Sequence, residues 1–294
     1  MTNSEAAEIH GAFAGIRRRL ATSRNARRVP VVAAFVILGV VLAIAVFGTS
    51  LSPHDPTVSL TVPNRQPGGS FPLGTDSLGR DVLSRIMAGT RYTVALAFGA
   101  TLFALLIGIV LGSVAGYFGG WIDIVVSRVI EMFLTVPHLI FAILLVAFLG
   151  NAWWVVIVVL GLTMWPATAR LARSEALRLR DREFVEASRI AGVGSAGVIA
   201  RHVLPNGLGP VIANASLQVA EAVLLSAGLS FIGLGDPSAI SWGKMIQEAQ
   251  GAFQTAWWAV VYPGLALTIL LLSLHTIGDW VGRVLGKEDE GVIA

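Results

Sequence analysis

Val29–Gly48 reads VPVVAAFVILGVVLAIAVFG, twenty residues without a charged side chain. At about 1.5 Å per residue, a helix of that length reaches roughly 30 Å, the hydrocarbon thickness of a bilayer. The residues before it end in a basic run of Arg17, Arg18, Arg19, Arg24, Arg27 and Arg28. A signal peptide would carry a shorter apolar core and a small-residue cleavage site. The stretch therefore predicts a first spanning helix with a cytoplasmic N-terminus. Further apolar runs lie at about 92–116, 124–149, 153–168, 208–233 and 257–282, so the pattern predicts an all-α, six-span membrane protein.

Composition agrees. Of 294 residues, 55% are hydrophobic and only 13% charged, with a mean hydropathy of +0.74. Soluble domains carry about 25% charge, so a soluble globular enzyme, a disordered chain and a low-complexity protein are excluded. There is no cysteine, hence no disulfide, thiolate metal site or cysteine nucleophile. The net charge is +3 and no basic stripe interleaves with aromatics, which speaks against nucleic-acid binding.

The spans divide the chain into a cytoplasmic segment 1–28, the first helix 29–48, an extracytoplasmic segment 49–91, a core 92–283 and a cytoplasmic tail 284–294. Pro53, Pro56, Pro63, Pro67 and Pro72 bar a long helix early in the outer segment. From Asp76, DSLGRDVLSRIMAG predicts a short amphipathic helix on the membrane surface. With both termini inside, fifteen of the 21 Lys and Arg residues fall on the cytoplasmic side, as the positive-inside rule requires. Arg80, Arg85 and Arg91 stand against that rule.

Several polar residues interrupt the spans. Gly108, Gly112 and Gly116 recur at four-residue spacing, which suits close helix packing. Arg128 and Glu131 are one turn apart, and Glu131, Thr135 and His138 share a helical face. They predict an interior ion pair near the cytoplasmic interface or a role in a pathway or its gate. Asn214, Gln218 and Glu221 form a polar stripe that lipid would not solvate. That stripe either lines a pathway or closes an inter-helix network. His275 and Asp279, one turn apart, predict a buried structural pair. No metal-ligand spacing such as HExxH occurs.

The long cytoplasmic stretch, about 169–207, reads ARLARSEALRLRDREFVEASRIAGVGSAGVIARHVLPN over 169–206. It is basic and helix-compatible up to Gly192, Gly194 and Gly197. A basic loop contacting lipid headgroups would not need such internal order. A helix, a glycine turn and a second helix make an elbow suited to docking in a groove of a cytosolic partner.

Glu186-Ala187-Ser188, Gly192 and Leu204-Pro205 resemble the EAA signature of importer permeases of the ATP-binding-cassette class. Ser188 replaces the second Ala of that pattern, and His202 stands at its Ile position. FPLGTDSLGRDVLSR (71–85), RHVLPN (201–206), LSFIGLGDPSAISWGKM (229–245) and AWWAVVYPGLAL (256–267) are similar to the C-type subunit of the dipeptide/oligopeptide/nickel permease subfamily. The resemblance covers about 29–283. His275 stands where many members have Asn, and the tail GKEDEGVIA lacks the usual Asp-Pro-Arg ending.

The resemblance implies a type I importer permease fold in a bacterial inner membrane. It implies a homologous B-type permease, two cytosolic ATPase domains, an extracytoplasmic solute-binding protein and surrounding lipid as partners. The ATPases would dock on Glu186, Ala187, Ser188 and Gly192. It implies no cofactor in this chain, with ATP and Mg held by the ATPases. The sequence agrees: Gly243-Lys244 is followed by Met and Gly286-Lys287 by Glu, so neither is a P-loop. No GxSxG elbow occurs either. Against this stand an ion-gradient-driven transporter or channel, with Glu131, His275 and Asp279 as a proton path, and a membrane-embedded enzyme without a recognisable catalytic set. Dipeptides, longer peptides, nickel chelates and other solutes all remain open as cargo.

Overall fold

The computed structural model describes residues 28–290, with side chains from 29 to 285. Expectations about 1–27 and the last four residues of the tail lie outside the described residues. The first helix, α1 (Arg28–Leu51), realises the opening apolar run and is slightly longer than it. Residues 52–81 then form an irregular layer, as the prolines demand. Backbone hydrogen bonds tie it together, including Leu60 N to Gly79 O at 3.0 Å and Thr75 N to Arg65 O at 3.0 Å.

Asp81 caps α2 (Val82–Phe118), its carboxylate accepting from the Ser84 N–H at 3.2 Å. The separate surface helix expected from Asp76 does not exist. Residues 76–81 are turns, and everything from Val82 onward is one helix of 37 residues. Gly89 does not break it, because it packs against the Trp242 side chain.

The apolar run expected as one span at 124–149 is bent. Helices α3 (Gly120–Thr135) and α4 (His138–Leu149) meet at 90°. Pro137 lacks an N–H and forces its predecessor out of the helical region, and Val136 is extended at φ −93° and ψ 128°. Five described helices are long and apolar enough to cross a membrane, and the bent pair counts as a sixth if it is one span.

α5 (Trp153–Arg180) runs well past the expected end of its span. Then come α6 (Glu183–Ile190), α7 (Ser195–Val198) and a π-turn at Ile199–Val203. α8 (Leu204–Phe231), α9 (Trp242–Ala249) and α10 (Trp258–Glu290) complete the chain. The most extensive helix contact is α2 on α5, followed by α8 on α10. α1 lies against α2 and α10, with Phe35 edge-on to Trp280 at 5.5 Å between centroids.

The glycine stripe explains the α2–α5 contact. A Cβ on Gly108 would lie 2.6 Å from Thr168 Cβ. On Gly112 it would lie 2.9 Å from Ala172 Cβ, and on Gly116 2.8 Å from Ala176 Cβ. Small residues thus let the two backbones approach, as the four-residue spacing predicts. The outward face of α2 is apolar, with Leu102, Leu106 and Val110 each more than half exposed, as hydrocarbon contact requires.

Gly112→Leu should therefore lower thermal stability in detergent by about 1–3 kcal/mol, the usual cost of overpacking. Gly39→Leu, on α1 with nothing near its Cβ position, should match or exceed the wild type. Equal melting of the two variants would contradict the packing role.

Candidate functional site

The elbow is built at one end of the α2–α5 pair. α5 continues to Arg180, the chain turns at Asp181-Arg182, and α6 carries the EAA residues. The α6 C-terminus closes through Ala191 N to Ala187 O at 3.0 Å, Gly192 N to Arg189 O at 3.0 Å and Val193 N to Ser188 O at 3.1 Å. Gly192 holds φ +81° with open space where a Cβ would sit. It is needed for its left-handed backbone at the helix end, not for room.

A small core holds the elbow: Val185, Val198 and Val203 pack with Tyr117, Ala176 and Leu179. Arg189 adds a bond from its Nε to the Tyr117 hydroxyl at 3.0 Å and covers that ring at 4.8 Å. The opposite face of α6 is open. Glu186, Ala187 and Gly192 are exposed, beside Ile190 at 81% and Phe184 at 42% exposure. Ser188 is half-buried, donating to Phe184 O at 2.8 Å and meeting His202 Nε2 at 3.2 Å. Leu204 and Pro205 open α8 directly after the π-turn. Four of the six signature residues thus lie on α6 and its glycine turn, and the other two open the helix that leaves the elbow.

The polar stripe of α8 splits three ways. Gln218 is buried and accepts from Thr168 Oγ1 at 3.0 Å, so it serves an inter-helix network with α5. Glu221 meets His138 Nδ1 at 2.7 Å, with side-chain exposures of 40% and 23%. Asn214 lines an open groove of about 540 Å³ with Asp279 and Arg283. Sequence reasoning missed the His138–Glu221 pair because it placed His138 on one continuous helix with Glu131. The bend at Pro137 separates them and turns His138 toward α8. The proline was the available signal.

Two expected pairs need correction. Arg128 and Glu131 do bond, at 2.9 Å, but their side chains are 76% and 63% exposed, so the pair is not interior. The polar partner of α3 inside the bundle is Asp123, bonded to the Arg173 guanidinium through Nε and through Nη2 at 2.7 Å. His275 and Asp279 do not form a buried pair. Both are exposed, and His275 Nδ1 turns back to Leu271 O at 3.0 Å on its own helix. A proton path through Glu131, His275 and Asp279 has no connection in this arrangement. Among the described residues no group of three His, Asp or Glu side chains is placed to hold a metal.

A second polar cluster, unforeseen as a contact, sits at the other end of α2. Arg80 Nε donates to Asp76 Oδ2 at 2.7 Å, while Arg80 Nη2 and Arg85 Nη2 each reach Glu248 Oε2 at 2.7 Å. Arg85 Nη1 lies 3.2 Å from Asp76 Oδ2. Two tryptophans fasten the same layer. Trp242 Nε1 donates to Ile86 O and Trp258 Nε1 to Thr75 O, both at 3.0 Å. Nearby, the loop after α8 is held by Asp236, which accepts from Ser238 N at 2.8 Å and from Trp153 N, at the start of α5, at 3.1 Å. Burial pushes the Asp236 carboxyl up, but the Ser238 and Trp153 bonds and the Lys244 ammonium hold it below its ordinary 3.8.

Residues 108–288 match the family model described as "Binding-protein-dependent transport system inner membrane component". The chain belongs to this family. The matched span contains the elbow, α5, α8 and the end of α2 from Gly108. A putative peptide permease protein of Brucella suis is 38% identical over 231 residues, covering 77% of this chain and 76% of that protein. The dipeptide transport system permease protein DppC of Alkalihalophilus pseudofirmus is 36% identical, covering 72% and 70%. The glutathione transport system permease protein GsiD of Pectobacterium atrosepticum is 33% identical, covering 84% and 83%. Among solved structures, a chain of the inward-facing MetNI methionine ABC transporter aligns at TM-score 0.55 and 21% identity, covering 68% of this chain and 96% of that one. At that identity the likeness shows the fold, an importer permease fold. This inner-membrane family member is thus a permease subunit of a binding-protein-dependent importer.

Two outcomes test the far-end layer. Glu248→Ala should cost about 3 kcal/mol of thermal stability, because it strands two largely buried arginines. A loss below about 0.5 kcal/mol would show the cluster to be solvated like a surface pair. For Asp236 the folded-state pKa is depressed, so its contribution is complete well above the ordinary 3.8 and is lost as pH falls from that value through the lower folded one. The stability gap between wild type and Asp236→Asn should be constant at neutral pH and close on acidification below 3.8. A gap that persists there would assign the loop's stability to other contacts.

Proposed function

We propose that this chain is the C-type permease half of an ATP-driven importer of peptides. It pairs with a homologous B-type permease to enclose one pathway, receives cargo from an extracytoplasmic solute-binding protein, and is driven by two cytosolic ATPase domains. It is a non-catalytic subunit, with ATP and Mg held by the ATPases. Both termini and the elbow lie on the cytoplasmic side. The observation that carries the reading is the elbow: an exposed apolar and acidic face on α6, rigidly pinned to the ends of α2 and α5. The names of the relatives at 33–38% identity support peptides as cargo.

The mechanism follows from differential contact. ATP binding closes the ATPase pair, and the groove on the ATPase that receives α6 moves the docked helix with it. The ligand shifts the permease only by as much as docking differs between the two closures. Glu186 and the exposed Ala187, Ile190 and Phe184 supply the docking face, while Gly192 sets its exit angle. In the membrane, Glu221 with His138 and the half-buried Asn214 are the polar groups placed to face the pathway. Gln218 holds α8 to α5.

Mild-detergent capture of the tagged chain from its native membrane should recover a second permease and P-loop ATPases with ATP hydrolysis. A chain recovered alone, without ATPase activity, would overturn the reading. Gly192→Trp should insert normally yet cut ATP-driven uptake of labelled dialanine at least tenfold, since a side chain strains the left-handed turn. Normal uptake in that variant would remove α6 as the docking element.

A further inference from the structure

This chain departs from the EAA pattern at two positions, Ser188 for Ala and His202 for Ile. The structure brings those two residues into contact, across fourteen residues of chain, at 3.2 Å between Ser188 Oγ and His202 Nε2. The hydroxyl has one proton, and it is directed at Phe184 O, 2.8 Å away. The histidine must therefore donate: its Nε2–H points to Ser188 Oγ. Both the neutral ring protonated at Nε2 and the imidazolium satisfy this arrangement.

The histidine is set on the π-turn between the end of the elbow and α8, and its ring is tilted against Phe184 at 6.4 Å between centroids. Asn206 Nδ2 donates to the His202 carbonyl at 2.6 Å, fixing the backbone beneath the ring. Such π-turns collect at functional positions. One chain of bonds thus runs from the start of α8 through His202 and Ser188 to the first turn of α6.

We propose that His202 and Ser188 form a positioning pair that sets the angle of α6, and so of its docking face, relative to α8. The proposal rests on the reading of α6 as the ATPase-docking helix. Its physical basis is an asymmetry of polar contacts. Removing one partner leaves a half-buried donor or hydroxyl facing an apolar group, whereas replacing both with apolar groups is nearly neutral. Ala at 188 with Ile at 202 would make an apolar pair at these two positions, and Ser188 with His202 makes a polar one.

The test uses the whole complex, purified with its ATPases, carrying Ser188→Ala, His202→Ile, both together, or His202→Gln. Retained ATPase per permease and ATP hydrolysis are read beside the melting temperature of the permease. Each of the first two variants should lose about fivefold in retention, the scale of one hydrogen bond, with little change in melting. The double variant should return to within about twofold of wild type, the signature of a coupled pair. His202→Gln, which keeps an N–H donor, should stay near wild type.

Single variants at the wild-type level, or a double variant showing the product of both losses, would overturn the pair. So would single variants that lower melting as much as retention, since the contact would then serve folding alone. Gly192→Trp separates the two layers of the argument. If it leaves ATPase retention intact, the docking reading itself fails. If it abolishes retention while both single variants are harmless, the positioning pair alone fails.

Discussion

The close approach of α2 to α5 is the contact on which the rest of the molecule is hung. In hydrocarbon there is no hydrophobic force to bring two apolar helices together, so association depends on packing and on polar contacts. Gly108, Gly112 and Gly116 remove the side chains that would hold the two backbones apart. Thr168, one of the residues packed against Gly108, also bonds Gln218 of α8, so the same seam fixes the third helix. The glycines contribute no chemistry; they decide which surfaces become adjacent.

Because α2 and α5 pack along this small-residue seam, the layers fastened to their two ends are joined through one contact. At one end Tyr117 and Ala176 receive Val185 and Arg189 of the elbow. At the other, Asp81 and Arg85 anchor the irregular outer layer and α9. The elbow and the outer layer are therefore linked through a closely packed helix pair. The bend at Pro137 has the opposite character. It interrupts the α3–α4 run beside this helix pair and presents His138 to Glu221, so a polar contact within the bundle sits where the backbone is discontinuous.

The apolar runs, the proline-rich outer segment, the glycine stripe and the elbow were all legible, because each depends on local composition or on a fixed spacing. What was not legible depends on direction. A 90° bend changes which residue His138 meets, and no periodicity within 124–149 reports an angle. His275 and Asp279 have the spacing of a pair, yet spacing on a helix does not say which face lipid or a partner takes. The surface helix expected from Asp76 failed for a related reason. Its amphipathic residues are those of α2's first turns, where Arg85 faces Glu248 of another segment 163 residues away in sequence.

That contact also shows what holds the charges that run against the positive-inside rule. Orientation follows the bias of Lys and Arg in the short loops, and Asp and Glu contribute little to it. Arg80 and Arg85 are matched by Asp76 and Glu248 within 3.2 Å, so four formal charges present almost no net field. Carboxylates also meet arginines toward the elbow, where Arg128 pairs with Glu131, Arg173 with Asp123, Arg178 with Glu175 and Arg180 with Asp181. Two of the three arginines that run against that count are thus structural ions, which gives a reason for their presence without removing them from the count. Their role is to clamp the outer layer to the start of α2, which composition alone does not reveal.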